Sequence, residues 1–134
     1  SDDVVAWGNS TEDQKNRARE KMKKIVEKSL PNTESNIKFE DSYPAMGPSE
    51  GNIKLLKVFN DVSISLGQGE VNAYDPLKRG AADISFVAEY VDGIDGLGAM
   101  GDGGHTLQET INLNTMEDII IRTAIFIYRL INTN

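Results

Sequence analysis

Asp95-Gly96-Leu97-Gly98-Ala99-Met100-Gly101-Asp102-Gly103-Gly104-His105-Thr106 is the stretch on which the fold reading turns, because it carries the only histidine of the chain at the end of a glycine-rich loop. Five glycines in nine residues, from Gly96 to Gly104, permit positive φ and close backbone approach at an entropic cost that ordinary packing does not demand. Immediately before it, Val91 to Leu97 has the character of a brief strand. The loop therefore opens at a strand's C-terminal end, where α/β folds gather their sites. A surface or capping histidine is the plain use of such a residue, and a metal ligand is the functional one.

Downstream, Leu107 to Ile111 reads as a connector. Asn114 with Glu117, or Thr115 with Asp118, caps a last helix. Its stripe Ile120, Ala124, Ile127 and Ile131, widened by Ile121, Ile125 and Tyr128, predicts burial on more than one side and packing on a sheet.

Upstream, Asp75 to Gly80 is a polar turn that delivers Ala81-Ala82-Asp83 to a helix running through about Tyr90, with Asp83 at its N-terminus as a cap. Glu70 to Tyr74 fits a short strand. Ser49 or Asn52 caps a core helix with Ile53, Leu55, Leu56, Phe59 and Val62 on its apolar face, ended by Gly67. Pro44 and Pro48 mark a domain crossing. Before them, Val4 to Trp7 reads as a strand, and Ser10 or Thr11 caps a helix. Ala18, Met22, Ile25, Val26 and Ser29 share one face of that helix, and its charged residues form a solvated face. Leu30-Pro31-Asn32 stops it, and Asn36 to Glu40 alternates like a strand. The class is α/β in the mixed, α+β sense.

The 134 residues suffice for one modest domain or for pieces of larger ones, and a 39% hydrophobic, 26% charged composition is ordinary for a globular chain. A net charge of -7 excludes a nucleic-acid or anionic-membrane partner, both of which need a basic face. The longest run of branched aliphatic residues, Ile119-Ile120-Ile121, ends at Arg122 and spans no bilayer. With no cysteine, any metal would be held by histidine and carboxylates. An opening at Ser1 on neither a methionine nor a signal peptide reads as a cut chain.

Three segments in order carry a resemblance: Phe39-Glu40-Asp41-Ser42-Tyr43-Pro44-Ala45-Met46, Gly80-Ala81-Ala82-Asp83-Ile84-Ser85-Phe86-Val87-Ala88, and Asp95 through His105-Thr106 to Glu109. Together they resemble the C-terminal part of the zinc-dependent exopeptidases and deacylases that include glutamate carboxypeptidase, aminoacylase and succinyl-diaminopimelate desuccinylase. The resemblance implies an α/β catalytic domain with two zinc ions, interrupted by a lid and dimerisation domain of helices on an antiparallel sheet. Residues 1–42 would be the C-terminal part of the lid, and residues 43–134 the C-terminal part of the catalytic domain. His105 matches the family's last zinc ligand, in its Gly-rich G-x-x-H-[ST] segment. Asp83 matches an acidic residue lining the active site, although Ala82 replaces the hydroxyl residue beside it and Ile84 the small one. Val4 to Trp7 departs from the Asp-x-Arg pattern expected on the lid strand.

The implied activity is that of a hydrolase, a metallopeptidase or amidohydrolase of carboxypeptidase, dipeptidase or aminoacylase type, cleaving amide bonds of peptides or N-acyl amino acids as a lid-linked homodimer. The family's first metal histidine, its bridging aspartate and its Glu-Glu pair lie N-terminal to the lid, so the resemblance puts no catalytic residue within this chain and implies that the fragment alone is inactive. Gly103 and Gly104 would form part of the site wall. Asp83 or Asp102 could orient the second ring nitrogen of His105. Arg79 could grip a substrate carboxylate bidentately, or be a solvated turn residue. The alternatives from other classes are a non-catalytic binding or dimerisation module and a protein holding a single metal ion.

Overall fold

The computed structural model describes residues 12–44, 46–75 and 82–132. The fold is α+β: three α-helices and, among the described residues, one antiparallel pair of very short strands. The chain divides into two compact units, Ser1–Pro48 with Tyr74–Val91, and Ser49–Ala73 with Asp92–Asn134.

In the first unit, α1 (Glu12–Val26) opens with Glu12 and Asp13 in its first turn and carries Lys23 and Lys24 in its last, each sign opposite the helix dipole it meets. The helix ends earlier than the apolar spacing predicts, and Ile25 is exposed. The Ser35 hydroxyl donates to the Val26 carbonyl at 2.8 Å, and a turn closes through Thr33 N–H to Leu30 O with Asn32 at φ 62°. The strand predicted over Asn36 to Glu40 does not form. The segment finds no ladder partner there and is tied to the helix by charge. Lys15 Nζ reaches Glu12 at 2.7 Å and Asp41 at 3.1 Å, Arg19 reaches Asp41 at 2.7 Å, and the Arg19 guanidinium lies 5.1 Å from the centre of the Phe39 ring. Val4 to Trp7 and the caps Ser10 and Thr11 lie outside the described residues.

In the second unit, α2 (Glu50–Ser65) starts as its sequence requires. Ser49 is extended, and its Oγ accepts from Asn52 N–H at 3.0 Å while donating to Asp92 at 2.9 Å. It ends in a Schellman turn: Gln68 N–H reaches Ser63 O, Gly67 N–H reaches Ile64 O, and Gly67 takes φ 72°, which a side chain would disfavour. The predicted strands at Glu70 to Tyr74 and Val91 to Leu97 are absent. Their backbones bond side chains of α2 instead, Val71 N–H to Asn60 and Gly93 N–H to Asn52, each at 2.8 Å.

The last helix, α3 (Met116–Asn132), packs on α2 rather than on a sheet. Phe59 and Phe126 meet edge to face at 5.2 Å over Val62, with Leu55, Val58, Leu66, Val71, Ile94, Leu97 and Ile125 around them. The face used is not the predicted one. Ile119 and Phe126 are buried, whereas Ile120, Ile127 and Ile131 are 59%, 50% and 69% exposed. The reason lies in α2, which offers Phe59 and a serine-edged groove. Arg122 sits 5.0 Å over the Phe59 ring and 3.2 Å from Ser63 Oγ, and Arg129 is 3.2 Å from Ser65 Oγ.

Candidate functional site

The glycine loop folds into a hairpin. Strand β1 (Gly101–Asp102) pairs antiparallel with β2 (Thr110–Ile111), Gly101 opposite Ile111 and Asp102 opposite Thr110. Glycine is needed at 101 because a Cβ there would run into the Thr110 carbonyl. At the tip, Gly103 takes φ 69° and His105 φ 65°. The turn is closed three times over. Thr106 donates to the Gly103 carbonyl from its N–H at 3.0 Å and from its hydroxyl at 2.7 Å, and Gln108 N–H donates to the Thr106 hydroxyl at 3.1 Å.

A left-handed φ is uncommon for a residue with a side chain, and histidine is among those that tolerate it. The ring projects from the tip into solvent, and no hydrogen bond joins it to another described residue. In particular, the Asp102 carboxylate does not hold it.

Beside the tip, Ala99, Met100, Gly101, Asp102, Gly104 and Glu109, with Thr110 and Ile111, line a shallow concavity of about 440 Å³. Its two ionisable groups, Asp102 and Glu109, are both carboxylates. A Cβ on Gly104 would make only an ordinary van der Waals contact with Glu109 Oε1, at 3.9 Å. Of the two glycines before His105, Gly104 lines the concavity and Gly103 does not, and His105 is outside its lining.

Asp83 belongs to the first unit. The helix predicted from it shrinks to one 3-10 turn, Asp83–Phe86, followed by a turn in which Tyr90 and Val91 N–H both reach Val87 O. The Asp83 carboxylate caps nothing: it accepts from the Tyr43 hydroxyl at 3.0 Å, and the Tyr43 and Phe86 rings meet tilted at 54° with centres 5.1 Å apart. That carboxylate stabilises the protonated phenol and raises the Tyr43 pKa. Arg79 lies outside the described residues.

Two residues, one in each unit, escaped the sequence reading. Tyr43, as the partner of Asp83, is forty residues away and left no local signal. Asn112 did leave one, in the pattern Asn112-Leu113-Asn114. Its side chain accepts from Asn114 N–H at 3.1 Å as an Asx turn, and its N–H donates to Met100 O at 2.7 Å, joining the hairpin to the 3-10 turn that starts α3.

Among the described residues, no three His, Asp or Glu side chains converge as a metal site would require. Compared with protein-family models, curated proteins and solved structures, the chain matches none. No described helix is long and apolar enough to cross a membrane.

Proposed function

We propose that this chain contributes the C-terminal wall of the active site of a dinuclear zinc-dependent amide hydrolase acting on peptides or N-acyl amino acids, with His105 supplying one zinc ligand. The observation that carries the reading is the state of His105: a left-handed backbone, in a turn closed by Thr106, presents an exposed imidazole that bonds no other described residue. Backbone strain of this kind costs on the order of 1–3 kcal/mol and persists where the surrounding structure imposes it, commonly at ligand clamps. The ordered resemblance of the three segments points the same way.

The described residues alone do not fit a zinc pair. His105 is one donor, and a hydrolytic zinc takes about three protein ligands. The remaining ligands and the general base belong, on this reading, to a segment N-terminal to this chain. What this chain does at the site, on this reading, is present the imidazole and hold the turn with Thr106.

The coding sequence upstream of Ser1 tests the proposal. A His-x-Asp segment, a later Asp and a Glu-Glu pair are expected there. In the protein extended to include them, His105→Ala should lower the bound zinc and abolish hydrolysis of N-acyl amino acids and dipeptides. Full zinc content and turnover in that variant would overturn the assignment.

A further inference from the structure

The chain carries three Asp-Gly dipeptides, Asp92-Gly93, Asp95-Gly96 and Asp102-Gly103, all within twelve residues. Asp-Gly is the pair most prone to aspartate isomerisation, because glycine has no Cβ to shield its amide nitrogen and turns freely enough to bring that nitrogen onto the side-chain carboxyl. By sequence the three are equal, and the fold makes them different.

At Asp92 both reacting groups are engaged. The Gly93 N–H donates to Asn52 Oδ1 at 2.8 Å, and the carboxylate accepts from the Ser49 hydroxyl at 2.9 Å while filling the space over Gly51. Asp102 lies in β1 opposite Thr110, and the Gly103 carbonyl accepts from both the N–H and the hydroxyl of Thr106. Rotating the peptide between them would break the hairpin. Asp95-Gly96 has none of these restraints. Both residues are exposed and outside helix and strand, and neither bonds another described residue. Gly96 takes φ 80°, with open space where a Cβ would stand. On either side, Ile94 and Leu97 pack against the core of Phe59, Val62 and Phe126, so the pair loops outward between two fixed points.

We propose that Asp95 is a site of spontaneous covalent modification, isomerising to isoaspartate through a succinimide formed with Gly96. The Gly96 amide nitrogen bonds the side-chain carboxyl carbon of Asp95, the carboxyl C–O bond breaks, and the hydroxyl leaves with the amide proton as water. Water then adds back. At the side-chain carbonyl it restores aspartate. At the main-chain carbonyl it breaks the original peptide C–N bond and leaves the chain running through the side-chain carbonyl. Mass and oxidation state are unchanged. The product carries one more methylene in the backbone between Ile94 and Leu97, so it displaces residues that pack on the core at the entry to the glycine loop. The inference is independent of the zinc assignment.

The test ages the 134-residue chain at 37 °C, folded and in urea, and locates isoaspartate by peptide mapping and enzymatic methylation of the isomerised carboxyl. In the folded chain isoaspartate should accumulate on the order of tenfold faster at Asp95 than at Asp92 or Asp102, the factor set by one hydrogen bond that must break first. In urea the three rates should converge. The aged chain should melt on the order of 5 °C below the fresh one. Asp95→Glu, whose longer side chain does not close the five-membered ring, should keep its midpoint. Equal rates at the three sites in the folded chain, faster accumulation at Asp92 or Asp102, or no isoaspartate at Asp95 would overturn the inference. A midpoint unchanged by isomerisation at Asp95 would overturn its effect on the core.

Discussion

Gly51 and Asp92 occupy one space: a Cβ on Gly51 would fall within the Asp92 carboxylate, which is held there by the Ser49 hydroxyl at 2.9 Å. The first turn of α2 and the segment entering the glycine loop are thus in direct contact through a residue without a side chain. Gly51→Ala gains helix propensity worth about 1 kcal/mol and still should destabilise by about 1–3 kcal/mol net, because the carboxylate must leave its cap. Denaturant melts of Gly51→Ala, Asp92→Ala and the double variant check this. The double variant should be more stable than Gly51→Ala alone.

The ion-pair cluster on α1 sets an acid limit on the first unit. Arg19, then Lys15, bond the Asp41 carboxylate and hold its pKa down at about 2 against an ordinary value of 3.8. A depressed carboxylate contributes stability above its unfolded pKa and loses it as pH falls through the folded value. The tether of the segment around Asp41 to α1 should therefore be intact at pH 5 and released between pH 4 and 2. Carboxyl chemical shifts followed across that range check it, and Asp41→Asn should release the segment already at pH 7.

Phe126 anchors the small core of the second unit against Phe59. Phe126→Ala should cost about 3–5 kcal/mol. Since few other side chains are buried, this approaches the whole stability of a modest unit. Loss of cooperative unfolding by circular dichroism is the expected result.

His105 sets stability against function. His105→Gly should raise stability by about 1 kcal/mol, by relieving the left-handed backbone, and should remove the imidazole from zinc binding. Thermal melts and a zinc titration read the two effects separately. The 134-residue chain itself should show no peptidase turnover with zinc added, and measurable turnover would refute the partial-site reading.

What could be read in advance follows from range. Ser49 and Gly67 act within a few residues, so the ends of α2 were legible, as was the special conformation available at the glycines before His105; at the start of α3 the capping side chain is Asn112, not the expected Asn114 or Thr115. The strand at Asn36 to Glu40 was not, because its alternation is real but its partner is the Lys15 and Arg19 pair, not another strand. The helix after Asp83 failed likewise: Tyr43 takes the carboxylate that would have capped it. On α3 the helix was legible but its buried face was not: Ile119 and Phe126 are buried in place of the Ile120, Ile127 and Ile131 stripe, because which face meets α2 depends on where Ser63, Ser65 and Phe59 sit, information held in another helix.

Asn112 carries a mechanical consequence. Its N–H grips the Met100 carbonyl, at the base of the arm that carries His105, while its side chain holds the turn that launches α3. One residue thus ties the base of the arm that carries His105 to the start of the last helix.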